Sequence, residues 1–84
     1  MTYSISIKQS AVIALEKVPR ADQIRIITAI DLLKTNPNAG GVLKGEFSGL
    51  RRIRIGTYRV VYEVKNQELV VLVIRIGHRR EVYR

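Results

Sequence analysis

Three apolar, strand-like segments follow one another in the second half of the chain, and this feature constrains the fold more than any other. They run from Leu50 to Ile55, from Tyr58 to Val64 and from Leu69 to Ile76. The first turn is Gly56-Thr57 and the second is Lys65-Asn66-Gln67. Turns this short join antiparallel neighbours, because a parallel connection needs about a dozen residues or more. The C-terminal half is therefore predicted to form an antiparallel sheet.

The first half of the chain predicts one short strand and two helices. Residues 3–7 alternate apolar and polar side chains, as a strand with one buried face does. Residues 10–18 and 21–34 carry apolar side chains at helical spacing, with Pro19 between them and Asn36-Pro37 ending the second. The predicted order is βααβββ, an α+β fold with a two-helix hairpin packed on one face of an antiparallel sheet. The predicted core positions of the helices are Ala11, Ala14, Leu15, Val18, Ile26, Ile27, Ile30 and Leu33.

Composition indicates one globular domain, residues 1–84. Hydrophobic residues make up 46% of the chain and charged residues 26%, which is typical of an ordered protein. The chain has no cysteine and one histidine, so it forms no disulfide and lacks the ligands of a zinc site. No apolar run approaches the roughly 20 residues of a membrane span, and the N-terminus lacks the features of a secretion signal. We therefore expect a cytoplasmic protein without a metal or other cofactor.

The positive charge of the chain is concentrated in its second half. The net charge is +8. Residues 1–50 contain six basic and four acidic side chains, whereas residues 51–84 contain nine basic and three acidic ones. Such a field favours a polyanion or an acidic protein partner. The alternative is a basic surface that serves solubility alone.

Side chains alternate between the two faces of a strand, and this period places several arginines on one face of the sheet. Arg52 and Arg54 alternate with isoleucines, and Arg59 alternates with tyrosines and valines. In the last strand Arg75 is predicted to share the face of these arginines. The alternative is an ordinary solvent-exposed face, which antiparallel sheets often have. The residues of the last strand predicted to face the helices are Val70, Leu72, Ile74 and Ile76.

Directly after the last predicted strand, residues 77–84 gather side chains suited to RNA. They include the only histidine, His78, together with three arginines and Tyr83. Arginine binds phosphate, tyrosine stacks on bases and histidine exchanges protons near neutral pH. The alternatives are a loop histidine without a role and a terminal tyrosine that packs on the sheet.

These residue types suit RNA cleavage in which the ribose 2′-OH attacks the adjacent phosphate. The reaction requires loss of a proton, stabilisation of a negative phosphorane and help for the leaving 5′ oxygen. Arginines fit the second task, because guanidinium groups match phosphate oxygens, but they stay protonated and are poor bases. His78 is the candidate base. The few scattered carboxylates offer no set of ligands for a two-metal nuclease.

The chain as a whole resembles the RelE branch of the RelE/ParE toxin superfamily. The motifs that carry the resemblance are Leu43-Lys44-Gly45, Leu50 to Gly56, Tyr58 to Tyr62 and Gly77 to Tyr83. The Tyr-Arg-Val-Val-Tyr strand is shared across the superfamily, whereas the Gly-His-Arg-Arg-Glu-Val-Tyr tail is typical of its RNA-cleaving branch. The resemblance implies a toxin of a type II toxin–antitoxin pair that cuts mRNA in the ribosomal A site and so inhibits translation.

The resemblance also implies roles for single residues. Arg52 and Arg54 stand where well-studied members have a Lys-x-Lys pair, and Arg59 matches a phosphate-contacting arginine. Arg79 matches the arginine that assists the leaving group, and Tyr83 matches the tyrosine that stacks on a base. The predicted catalytic residues are thus Arg52, Arg54, Arg59, His78, Arg79 and Tyr83. The predicted RNA-binding residues are Lys44, Arg51, Arg75, Arg80 and Arg84.

The resemblance implies partners as well. They are a cognate antitoxin with an acidic, partly disordered segment, the ribosome with its mRNA, and operator DNA reached only through the antitoxin complex. No membrane partner is expected. The alternatives are a ParE-like toxin that inhibits gyrase and a catalytically inactive relative that binds only its antitoxin. The C-terminal tail favours the ribonuclease.

Overall fold

The computed structural model describes residues 2–78 and contains two helices and five strands in that part of the chain. A single turn of 3₁₀ helix, Gly45–Phe47, lies between the second and third strands. None of the helices in the described part is long and apolar enough to span a bilayer. The elements are β1 (Ser4–Ile7), α1 (Gln9–Glu16), α2 (Arg20–Leu32), β2 (Gly41–Val42), β3 (Arg51–Ile55), β4 (Tyr58–Lys65) and β5 (Val70–His78).

The five strands form one sheet in the order β1-β5-β4-β3-β2. The C-terminal meander is antiparallel, as the short turns predict, and β2 adds an antiparallel edge strand that the sequence did not predict. The α+β fold is confirmed, but the sheet is mixed, because β1 pairs with β5 in parallel. Short turns determine the pairing only of the two strands that they join. The strands β1 and β5 are separated in the sequence by both helices and three other strands, so no turn predicts their pairing.

A helical hairpin covers one face of the sheet, and Pro19 and Gln23 fix its corner. Pro19 is the residue just before α2, a position whose backbone N–H would have no acceptor within the helix, so proline is tolerated there. Its carbonyl accepts the backbone N–H of Gln23 at 2.9 Å. The side-chain amide of Gln23 donates to the carbonyls of Leu15 at 3.0 Å and Glu16 at 3.2 Å. Both carbonyls lie at the C-terminal end of α1, so these hydrogen bonds connect the two helices at their junction.

The core lies between the hairpin and the covered face of the sheet. Ile26, Ile30 and Leu33 of the second helical segment are buried there. Ile27 was predicted to join them, but its side chain is 52% exposed. The three buried residues are four and three positions apart and form one stripe, whereas Ile27 is rotated about 100° from Ile26. The sheet contributes Ile55, Val60, Tyr62, Val71, Val73 and Ile76 to the same core.

A β-bulge in β5 changes which residues of that strand face the helices. Val61 pairs with Arg75 but Tyr62 pairs with Val73, so Ile74 is an extra residue in the register. The prediction was right for Ile76 and wrong for the residues before the bulge. Strict alternation fails across an inserted residue, because every earlier side chain moves to the other face. The buried residues before the bulge are therefore Val71 and Val73, instead of Val70 and Leu72.

Candidate nucleic-acid interface

Four arginines lie on the face of the sheet that the helices leave uncovered: Arg52, Arg54, Arg59 and Arg75. We call this set the arginine face. Arg54 pairs directly with Arg59 across β3 and β4. Val61 pairs with Arg52 on one side and with Arg75 on the other. Because paired residues of antiparallel strands point to the same face, all four side chains project from one surface, as the sequence predicts.

The turn between β3 and β4 determines this arrangement. Gly56 has φ +61°, a left-handed conformation that glycine adopts without steric cost. The two-residue turn, Gly56-Thr57, places Ile55 opposite Tyr58. Given that register, alternation brings Arg54 opposite Arg59 and leaves the neighbouring isoleucine in the core. A one-residue slip would exchange the two faces of the strand.

Standard sheet spacings give the size of the arginine face. Side chains that are paired across neighbouring strands have Cβ atoms about 5 Å apart. Arg52 and Arg75 are separated by two strand spacings, or about 10 Å, and the two rows are about 7 Å apart. Phosphate groups along a single nucleic-acid strand are spaced on this scale. The face can therefore contact one phosphate with two guanidinium groups or two neighbouring phosphates at once.

The electrostatics of the arginine face favour an anion. Like charges directly opposite each other on neighbouring strands are destabilising, and Arg54 and Arg59 occupy such positions. Arg54 and Arg75 are exposed, while Arg52 and Arg59 are half-buried. An oxyanion between the guanidinium groups would accept charge-assisted hydrogen bonds from both of them. The same face carries Glu63 one row beyond Val61, so the positive region is confined to one end of the sheet.

Two predicted RNA-binding residues do not belong to the four residues of the arginine face. Lys44 is exposed in the loop between β2 and β3, just before the 3₁₀ turn. Arg51 pairs with Tyr62 and so points to the helix-covered side of the sheet. Its guanidinium donates to the carbonyl of Gly40 at 2.7 Å and to that of Asn38 at 3.3 Å. Arg51 is half-buried, and its guanidinium group binds the protein's own loop, at odds with its predicted contact to RNA.

Tyr62 completes a clamp that the sequence did not reveal. Its side chain is 0% exposed. Its hydroxyl donates to the carbonyl of Pro37 at 2.8 Å and accepts the N–H of Gly40 at 2.9 Å. Burial raises the pKa of Tyr62, against the opposing effects of the Gly40 hydrogen bond and the charge of Arg51. A buried tyrosine needs a partner for its hydroxyl, and this need was the available sequence signal.

His78 does not lie beside the arginine face. It is the last residue of β5 and pairs with Tyr58, so it belongs to the helix-covered side. The two rings meet edge to face, with centroids 5.3 Å apart. His78 lines a cleft of about 490 Å³ that also contains Ile13 and Lys17 of the first helical segment. The prediction that this histidine accompanies the arginines is wrong, because β5 extends two residues further than expected and alternation continues through it.

The remaining predicted site residues lie outside the described part of the chain. They are Arg79, Arg80, Tyr83 and Arg84. Within residues 2–78, no group of three histidine, cysteine or carboxylate side chains is placed to hold a metal ion.

Comparisons with known proteins agree with this fold. The family model described as ParE toxin of type II toxin-antitoxin system, parDE, matches residues 5–83. Toxin RelG of Mycobacterium tuberculosis is 30% identical over 90 residues, covering 100% of this chain and 99% of RelG.

Solved structures show the same architecture. A chain in the toxin–antitoxin complex RelBE2 of Mycobacterium tuberculosis superposes with a TM-score of 0.86 at 27% identity, covering 94% of this chain and 100% of that one. The archaeal RelE–RelB complex of Pyrococcus horikoshii contains a chain with a TM-score of 0.78 at 32% identity, covering 96% of this chain and 99% of the other. With the family model spanning nearly its whole length, this chain belongs to the ParE toxin family of type II toxin–antitoxin systems, within the RelE/ParE superfamily.

Proposed function

We propose that this toxin is an endoribonuclease that binds RNA on its arginine face and cleaves mRNA, with the ribosomal A site as the place of action. The observation that carries the proposal is the direct pairing of Arg54 with Arg59, with Arg52 and Arg75 in the next row. Four guanidinium groups on one rigid surface suit a phosphate backbone. Sites on strands are held more precisely than sites on loops.

In the proposed reaction the 2′-OH of one nucleotide attacks its own 3′ phosphate. A bond forms between the 2′ oxygen and phosphorus, and the bond from phosphorus to the 5′ oxygen of the next nucleotide breaks. The 2′ proton is lost and the 5′ oxygen gains one, leaving a 2′,3′-cyclic phosphate. The arginine face stabilises the additional negative charge of the phosphorane, which is the kind of preorganised electrostatic contribution that dominates many enzymes.

Proton transfer is not assigned to these arginines, because a guanidinium group stays protonated. His78 is excluded from this task in the proposal, since it projects from the opposite side of the sheet. The leaving-group and base-stacking roles that the family resemblance implies for Arg79 and Tyr83 remain part of the proposal. No metal takes part in the proposed reaction, because the arginines supply the stabilisation of negative charge.

A ParE-like inhibitor of gyrase is the second candidate, and the family model named for ParE favours it. A gyrase inhibitor would use the same fold to bind a protein and would leave RNA intact. The pairing of Arg54 with Arg59 on the uncovered face of the sheet supports the ribonuclease, because neither residue is among the buried core residues.

The distinguishing experiment adds the purified toxin to a reconstituted translation reaction and maps mRNA ends by primer extension. We expect cuts within codons on the ribosome and unchanged supercoiling by gyrase in a parallel assay. A single 2′-deoxynucleotide at the mapped position should abolish that cut, because the nucleophile is removed. Uncut mRNA with inhibited gyrase would overturn the proposal in favour of the second candidate.

We further propose that the toxin binds a cognate antitoxin through an acidic segment that orders on contact. The toxin chains of the RelBE2 and Pyrococcus horikoshii structures were solved in complexes with antitoxins, and the +8 charge of this chain suits an acidic partner. Co-expressed cognate antitoxin should restore growth, and the affinity of the complex should fall as salt rises. A structure of the complex that leaves the arginine face fully open to RNA would contradict an electrostatic mode of neutralisation.

A further inference from the structure

The loop before β2 is attached to the sheet by two side chains from neighbouring strands. Arg51 of β3 donates to the carbonyls of Gly40 and Asn38, at 2.7 and 3.3 Å. Tyr62 of β4 binds the same loop through the carbonyl of Pro37 and the N–H of Gly40. Donors and acceptors are matched at every one of these contacts, so the loop has a defined position against the sheet.

Gly40 lies directly against the backbone of the arginine face. A Cβ atom built at Gly40 would lie 2.6 Å from the carbonyl oxygen of Arg52 and 2.7 Å from the hydroxyl of Tyr62. Real Cβ atoms do not approach backbone oxygens this closely, so only glycine fits. Immediately after it, Gly41 pairs with Arg52 and Val42 pairs with Arg51. The position of the loop therefore determines where β2 pairs with β3, and so which backbone groups lie next to Arg52.

From these contacts we infer that Arg51 is a positioning residue: it holds the loop and β2 against β3 and so fixes the backbone that presents Arg52 to the phosphorane. The inference rests on the proposed function and deepens it. Arg51 and Arg52 are neighbours in sequence but project to opposite faces, so one side chain braces the strand while the other faces the substrate. A displacement of about 1 Å at a catalytic group costs up to about a hundredfold in rate.

The salt dependence of RNA binding distinguishes a brace from a phosphate ligand. Each phosphate contact of a single-stranded RNA contributes about 0.7 to the slope of log affinity against log salt. The probe is a single-stranded RNA oligonucleotide with a 2′-deoxy block at the cut position, titrated at several salt concentrations. Arg51→Gln should keep the wild-type slope, whereas Arg54→Gln should reduce it by about 0.7.

Cleavage under saturating toxin provides the second readout. Arg51→Gln should lower the maximal rate by about tenfold, in the range that misplacement produces, with little change in RNA affinity. Arg51→Lys should recover part of the loss, because an ammonium group can still donate to one of the loop carbonyls. A loss of folded protein alone would lower the active fraction, which circular dichroism measures, and would leave the rate of the folded fraction unchanged.

The third readout does not depend on activity. In ¹H–¹⁵N spectra of the full chain, Arg51→Gln should shift the amide signals of Gly40 and Gly41, which are distant from residue 51 in sequence, while Arg20→Gln on the surface of α2 should leave both in place. If the slope of log affinity against log salt falls in Arg51→Gln as it does in Arg54→Gln, the inference is overturned, since Arg51 would then contact phosphate. A wild-type cleavage rate in Arg51→Gln overturns the inference as well. If the wild-type protein neither binds nor cuts RNA, the proposed function fails, and the amide signal of Gly41 decides the inference alone. A shift of this signal in Arg51→Gln supports the brace, and an unmoved signal overturns it.

Discussion

At the scale of single residues, alternation along a strand decides which side chains lie on the uncovered face of the sheet. Arg52, Arg54 and Arg59 were assigned to one face from their spacing, and the structure confirms that placement. The same alternation puts Arg51 on the other face, although Arg51 was predicted to contact RNA. A basic residue next to a proposed catalytic residue in a strand is therefore a poor candidate for the same role.

The first residue-scale prediction concerns His78. His78→Gln should change the single-turnover cleavage rate by less than about twofold, because the ring contacts Tyr58 on the helix-covered side. Loss of a general base would cost about a hundredfold or more. The rate is measured between pH 5.5 and 8 for the wild type and the variant, with Tyr58→Phe as the control for changes in ring packing.

An acidic limb that is present in the wild type and lost in His78→Gln would contradict this placement. His78 would then contact the reacting phosphate, although its pairing with Tyr58 places it on the helix-covered side of the sheet.

At the scale of elements, the sequence predicted what local patterns determine and failed where distant contacts decide. Both helices and the three strands of the meander were found from periodicity and turn residues. The bulge at Ile74 and the parallel pairing of β1 were not, because neither has a signature in nearby residues. Likewise, the clamp by Tyr62 joins positions 25 and 22 residues apart, which no local pattern connects.

The element-scale prediction concerns the stability of this clamp. Tyr62→Phe leaves the N–H of Gly40 and the carbonyl of Pro37 without their partner, so the free energy of unfolding should fall by about 1–3 kcal/mol. Tyr3→Phe is the matched control, because it removes an exposed hydroxyl whose hydrogen bond to Asn66 is at the surface. Urea unfolding followed by circular dichroism measures both variants.

The pH dependence of stability gives a second test of the same clamp. Burial raises the pKa of Tyr62 in the folded protein, so the neutral hydroxyl is favoured by folding. This contribution is complete below the unfolded-state pKa of about 10 and is lost as the pH rises from there through the folded-state pKa. The wild type should therefore lose more stability above about pH 10 than Tyr62→Phe does. Parallel curves for the two proteins would contradict a buried, hydrogen-bonded hydroxyl.

At the scale of the whole molecule, the two faces of the sheet carry different kinds of side chain. One face packs against the helical hairpin and supplies the core. The other face carries the four arginines, and the chain as a whole has a charge of +8. Substitutions on the arginine face should therefore affect function with little effect on folding, because these side chains are not among the buried core residues.

The measurement that tests the account most directly is mRNA cleavage in reconstituted translation by Arg54→Ala and Arg59→Ala, with Arg20→Ala as a control of equal charge change on the exposed start of α2. The two variants of the arginine face should each lose about a hundredfold in cleavage rate, as for removal of one transition-state donor. Their thermal unfolding should remain close to that of the wild type, and Arg20→Ala should cleave at the wild-type rate. Wild-type cleavage by both face variants, or an equal loss in all three, would contradict the claim that this face holds the reacting phosphate.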